Sequence, residues 1–355
     1  MKPHDTQSIL KTKSIDALLI NSAANISYLT NYISRDSYLL ISKKENIYFT
    51  DSRYTQEAKK KLNKNFVIEE IGISNYKSFA VSIYEACLRL KIKKIGFEEK
   101  HLYYSQYKKL KEDIKKPLSL APTRDIIEEI RQIKSTDEIN KIKEAINITI
   151  KAFNYIKKFI IPGKKEIEIA GQLENYIRHN GATGTSFDII VASGPNSSFP
   201  HHLTSHRKIA KNEPVLIDLG VCYRGYKSDL TRVYFSGKMF PLMGKVYQIL
   251  INAQERAIKE IKPSVKIKNI DTTARQYIAN EGFGGFFNHS LGHGIGLEIH
   301  ELPHISPKQN SELKEGMVFT IEPGIYLPGK FGIRIEDMVL VTKKGAEILS
   351  GSLNK

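Results

Sequence analysis

The sequence predicts two domains: an α/β domain over residues 1–123, then an α+β domain over 124–355 built on antiparallel hairpins. Three observations carry this reading. Short apolar runs alternate with helical patterns through the first third of the chain. A long amphipathic helix with its own start signal begins just beyond. After it, two pairs of apolar runs flank turn residues, and acidic side chains recur inside them. At 355 residues and 41% hydrophobic content the chain can build two cores.

In the first domain, residues 14–20, 37–42, 46–50, 66–71 and 94–97 read as strands. Helical patterns intervene at 53–62, 76–90 and 104–114, and the domain closes near Pro117 to Pro122. Ser135, with Glu138 three residues on, forms a capping box. It opens a helix with apolar residues at Ile139, Ile142, Ile146 and Phe153, and Pro162-Gly163 stops it. A second helix over 166–179 ends with Gly181 in the position after the cap, and helices recur near 245–261 and 272–280.

The runs 215–219 and 230–234 flank Arg224-Gly225 and read as one hairpin, placing Asp218 and Asp229 face to face across it. The runs 317–326 and 332–342 form another around Pro328-Gly329-Lys330. With Gly329 at its centre, Glu322 and Glu336 fall opposite each other, and Arg334 points to the same face as Glu336, where its cation could orient a carboxylate. Together with His293, these residues make four carboxylates and one imidazole. That is too few hard ligands for calcium and too acidic a set for structural zinc. It suits two divalent cations that share carboxylates and keep a water between them, which is the chemistry of a hydrolase. A single strand acid is usually a solvated one; five ligands in these contexts are not.

Most of the ten histidines lie between 201 and 304. His201 follows a Gly- and Ser-rich loop, Ala192-Ser193-Gly194-Pro195-Asn196-Ser197-Ser198. His289 and His293 are four apart, and His300 opens His300-Glu301-Leu302-Pro303. Gly292 and Gly294 let the backbone pack closely around a ligand at His293. His202, His206 and His304 lack such contexts and read as ordinary histidines.

These segments resemble the pita-bread metallopeptidases, in the Xaa-Pro aminopeptidase and prolidase branch. The likeness runs from Ser186-Phe187-Asp188 through Pro200-His201, the two aspartates, 289–301, Glu322-Pro323-Gly324 and Arg334-Ile335-Glu336-Asp337. It reaches the first domain through residues 16–20 and 25–30 and through Thr50-Asp51-Ser52-Arg53-Tyr54, so it covers almost the whole chain. One departure is His202, where the family usually has glycine.

The resemblance implies a creatinase-type first domain and a second with a curved, mostly antiparallel sheet wrapped around the metals. Asp218 would hold one cation, His293 with Glu322 the other, and Asp229 and Glu336 would bridge both. The cations would be two per subunit, manganese first, with cobalt or zinc as alternatives. A bridging hydroxide would attack the scissile carbonyl, Glu322 would carry the proton to the leaving nitrogen, and His201 and His300 would hold the carbonyl oxygen. His289 and Arg334 would join His201 and His300 in binding substrate, a peptide with proline in second position. Thr50-Asp51-Ser52-Arg53-Tyr54 looks more like the small bacterial aminopeptidases, which favours an Xaa-Pro aminopeptidase over a dipeptide-restricted prolidase. A catalytically silent binding protein of this fold would usually lack some ligands, and all five are present. The resemblance also implies a homodimer.

The net charge of +16 raises the question of nucleic acid. The lysines are scattered through 59–61, 108–116, 157–165 and 259–268 with few aromatics interleaved, so solvated helix faces explain them better. No apolar run approaches membrane-spanning length, and residues 1–16 lack the apolar stretch of a secretory signal. Two cysteines make no disulfide framework, so a reducing, cytoplasmic setting is expected.

Overall fold

The computed structural model describes residues 9–72 and 78–355. The chain forms two compact units, Met1–Ile130 and Arg131–Lys355.

The first unit is a six-stranded mixed sheet. Its strands are β1 (Ala17–Ile20), β2 (Ser37–Ser42), β3 (Asn46–Thr50), β4 (Phe66–Glu70), β5 (Lys94–Glu98) and β6 (Ser119–Thr123), in the order β4-β3-β2-β1-β5-β6. Both faces are buried, because alternate residues of β1 feed different cores. Ala17 and Leu19 join one and Leu18 and Ile20 the other. The strand expected from residue 14 begins at Ala17, since Ser14 turns with φ 51°. The sequence reading missed β6, whose Pro122 argues against a central strand. It sits at the sheet edge, where a missing N–H costs nothing. The helix expected over 76–90 runs Phe79–Leu90, and Tyr76 and Lys77 lie outside the described residues. The helix Ile126–Arg131 places Ile126 and Ile127 in this unit's core.

In the second unit every strand pair among the described residues is antiparallel. The capping box forms as expected: Ser135 N–H donates to Glu138 Oε2 at 2.9 Å, and Glu138 N–H to Ser135 Oγ at 3.4 Å. The helix it opens, Thr136–Ile156, gives way to a 3-10 turn before reaching Pro162. The helix expected near 245 starts earlier, with Pro241 in its first turn, where its missing N–H is harmless. The helix expected from 272 begins at Ile267.

Strand alternation then aims the acids. In Pro214–Leu219, residues Val215, Ile217 and Leu219 pack with the helices Thr136–Ile156 and Glu166–His179, so Asp218 faces the other way. In Val318–Ile321, Phe319 and Ile321 pack with the helices Pro241–Lys259 and Ile267–Asn280, which turns Thr320 and Glu322 from that core. No helix among the described residues is long and apolar enough to cross a membrane.

Candidate metal centre

Both hairpins form. The first turns on Arg224 and Gly225, both with positive φ (48° and 84°) as a tight two-residue turn requires. Its register pairs Asp218 with Thr231, so Asp218 and Asp229 are diagonal neighbours rather than directly opposed. The second pairs Ile321 with Asp337 and Gly324 with Arg334, which sets Glu322 against Glu336 as expected. It splits at that point: Val318–Ile321 and Asp337–Thr342 belong to a five-stranded sheet, Gly324–Leu327 and Phe331–Arg334 to a separate ribbon. Glu322 and Glu336 occupy the gap.

A cavity of about 380 Å³ opens over these residues. It is lined by all five expected ligands and by His201, His289, His300 and Arg334. Ligand atoms of Asp229, His293 and Glu336 lie within 4.8 Å of one another. His293 Nε2 stands 3.5 Å from Asp229 Oδ2 and 3.3 Å from Glu322 Oε1. Its Nδ1 lies 3.1 Å from the Gly294 carbonyl, which selects the Nδ1–H tautomer and leaves the Nε2 lone pair facing acceptors. Gly292 and Gly294 are needed for strand contact more than for a ligand. A Cβ at Gly292 would overlap the Thr320 carbonyl, and one at Gly294 the Leu302 carbonyl.

Electrostatically the site is a nest of acceptors. Asp218 Oδ1, Asp229 Oδ1 and Glu336 Oε1 are buried and have no hydrogen-bond partner. Burial and then the Asp218 and Glu322 charges push Asp229 well above the usual carboxylate range, and burial with Asp229 and Glu322 does the same to Glu336. Burial raises Glu322 as well. Four carboxylates face one buried guanidinium, that of Arg334, so positive charge is missing. Divalent cations would supply it, and the orphaned oxygens are where they would bind.

The structure gives Arg334 its partners and adds Thr231, Thr320 and Tyr326, which the sequence does not single out. Arg334 donates to Asp218 Oδ2 (2.6 Å), the Tyr326 hydroxyl (2.9 Å), the Pro200 carbonyl (3.2 Å) and Thr231 Oγ1 (3.1 Å). Thr231 in turn donates to Glu336 Oε2 (2.7 Å), and Thr320 to Glu322 Oε1 (3.1 Å). Tyr326 donates to His289 Nε2 at 3.0 Å, and burial raises its phenol to about 12. Burial and the Arg334 charge hold His289 near 4, and burial with His293 and His201 holds His300 near 4, so both rings are neutral at physiological pH. His304, read as ordinary, lines the cavity and pairs in register with His293. His206 takes no part in it, and His202 binds Glu166 outside it.

Buried paired hairpins that present unshielded carboxylates around an open cleft define a metal-dependent hydrolytic centre. Comparison with known proteins gives the family. Residues 140–343 match the model of metallopeptidase family M24, and residues 5–133 that of the creatinase/prolidase N-terminal domain. A Pyrococcus horikoshii Xaa-Pro dipeptidase is 38% identical over 95% of this chain and 93% of its own. The solved Xaa-Pro dipeptidase from Bacillus anthracis superposes with TM-score 0.94 at 38% identity, covering 100% of this chain and 98% of that one. The X-Pro aminopeptidase from Thermotoga maritima gives 0.87 at 39%, covering 95% and 96%. The chain belongs to metallopeptidase family M24, and it is a peptidase.

The crowding has a measurable consequence in metal-free protein. Asp229 and Glu336 have folded pKa values above the ~4 of exposed carboxylates. Folding therefore binds protons, and stability falls as pH rises from the unfolded value through the raised folded ones. Chelated protein is expected to melt lower at about pH 8 than at about pH 5.5, and saturating manganese should remove the difference. Equal melting of chelated protein at both values would rule out the crowding.

Proposed function

We propose that this chain is an Xaa-Pro dipeptidase, a prolidase, that hydrolyses the bond between a residue and a following C-terminal proline. The observation that carries this is the buried carboxylate nest in a chain similar along its whole length to named Xaa-Pro dipeptidases. The expectation of an aminopeptidase rests on Thr50-Asp51-Ser52-Arg53-Tyr54, a segment that the fold uses for another purpose. Asp51 caps the helix Ser52–Lys61, accepting from the Arg53 N–H at 2.9 Å, so the segment is a helix start in the first unit. The likeness to the Thermotoga protein keeps the aminopeptidase as the second reading.

Asp218, Asp229, His293, Glu322 and Glu336 would hold two divalent cations, with manganese proposed and cobalt or zinc as alternatives. Bound there, the cations would polarise the scissile carbonyl and make water acidic enough to be a nucleophile near neutral pH. The protein's own groups do the rest. Glu322, made more basic by burial, takes a proton from the attacking water and passes it to the prolyl nitrogen as the C–N bond breaks. His201 and His300 donate N–H groups to the carbonyl oxygen, where negative charge develops. His289, neutral and held by Tyr326, shapes the proline pocket. Four of the five Arg334 N–H donors are taken by protein, so we assign Arg334 to orienting Asp218 instead of to substrate. Proline matters because its amide has no N–H and a fixed φ, which suits a shaped pocket better than a backbone grip. A domain junction near residue 123, a homodimer and a cytoplasmic setting belong to the same proposal, the last in keeping with unpaired Cys87 and Cys222.

Manganese-loaded enzyme offered Ala-Pro, Ala-Pro-Ala and a longer Xaa-Pro peptide should cleave Ala-Pro alone. Release of the first residue from the longer peptides would make it an aminopeptidase. Absence of manganese-dependent cleavage of all three would overturn both readings.

A further inference from the structure

His201, one of the two proposed oxygen-binding groups, lies in the turn after Phe199, and its ring makes no hydrogen bond to another described residue. Something else must aim it. Apolar packing does not, because Phe199 and Leu203 on either side are 61% and 83% exposed. Two polar anchors bracket the residue instead. The Pro200 carbonyl accepts from Arg334 at 3.2 Å, and the His202 ring meets Glu166.

Glu166, the first residue of the helix Glu166–His179, is completely buried. Its Oε1 accepts from Ser193 N–H (2.7 Å) and Oγ (2.8 Å), and its Oε2 from Ser205 N–H (3.2 Å) and Oγ (2.6 Å). Asn196 donates to both oxygens, at 3.1 and 3.2 Å. Those contacts tie down the two ends of the loop. Of the Glu166 partners among the described residues, His202, whose Nε2 donates to Oε2 at 3.0 Å, is the one in the turn at the tip, where its own N–H bonds the Phe199 carbonyl at 3.2 Å. Burial alone would make Glu166 harder to ionise. The Ser205, Ser193 and His202 hydrogen bonds outweigh it and hold the carboxyl below its usual range, so the acceptor is charged and the contacts are strong.

We infer that His202 is a positioning residue: through Glu166 it fixes the Phe199–His202 turn and so holds His201 over the cleft. The inference rests on the reading of His201 as the group that meets the substrate carbonyl. Its contribution belongs to kcat, because a wandering His201 still admits substrate but seldom stands where the oxyanion forms.

The test uses the full metal-loaded chain. His202→Gly should lower kcat on the cleaved substrate on the order of tenfold, with KM changed by less than about twofold. His202→Gln, whose side-chain amide can donate to Glu166, should recover most of the loss. In a His201→Ala background, His202→Gly should cost nothing further. Amide hydrogen exchange should rise across 199–205 in His202→Gly and stay unchanged in 214–235. An equal loss in both His201 backgrounds, no rescue by Gln, or unchanged exchange across 199–205 would overturn the inference. If the wild type cleaved nothing, the proposed function would fall, while the exchange contrast would still decide whether His202 orders the turn.

Discussion

Asp229→Asn should lower turnover by about 10²–10³-fold at saturating manganese, beyond the 10–100-fold typical of groups that only orient a ligand. Asp229 is buried, one of its oxygens has no partner, and the other lies 3.5 Å from His293 Nε2. An amide keeps the volume and removes the charge. Metal content measured on the purified variant should fall as well. The same change should have the opposite effect on metal-free stability. It relieves repulsion among Asp229, Asp218 and Glu336, so the chelated variant should be more stable than chelated wild type by about 1 kcal/mol. A structural carboxylate would lose stability and leave chemistry intact. Near-wild-type turnover with normal metal content would therefore remove Asp229 from the site.

Glu301→Ala is the substitution expected to damage folding most. Glu301 directly follows His300, and its buried carboxylate accepts from Lys134 Nζ at 2.7 Å and from Arg131 Nη2. Burial pushes its pKa up, yet Lys134 and Arg131 more than reverse this and hold it below the usual range. Arg131 also meets Glu298 at 2.9 Å, but Glu298 is partly exposed and cannot serve both cations. Truncation would leave the buried Lys134 ammonium without this partner. Breaking such a pair costs about 3–5 kcal/mol, because the surviving charge stays desolvated. Urea titration of chelated protein should show a midpoint shift of that size at unchanged slope. A cost below about 1 kcal/mol would mean that water reaches the pair.

Much of the candidate site was legible in the sequence because the expected ligands lie on strands or directly beside strand ends, where alternation has period two. Asp218 in an apolar run, and Glu322 and Glu336 placed symmetrically about Gly329, could be found by counting along each strand. The same counting could have found what was missed. Thr231 lies two residues after Asp229, Thr320 two before Glu322 and Tyr326 four after it, so each shares its ligand's face. Threonine and tyrosine pass as ordinary strand residues, so apolar periodicity does not mark them. The register of the first hairpin differs from the expected one for another reason. Its turn is offset from the midpoint between the aspartates, so Asp218 meets Thr231 and Asp229 lies diagonally across.

The sequence by itself determined the two-part fold, the capped helix, both hairpins and the set of candidate ligands, because propensity, capping and alternation act within a few residues of chain. Only the tertiary structure decided that the two hairpins, about a hundred residues apart, bring their acids to one cavity and leave three oxygens without partners. It alone decided that Arg334 belongs to Asp218, that β6 can carry a proline because it lies at an edge, and that His202 reaches Glu166. Those outcomes depend on which faces pack together and on charges meeting across long stretches of chain, and no local pattern encodes a distance of that kind.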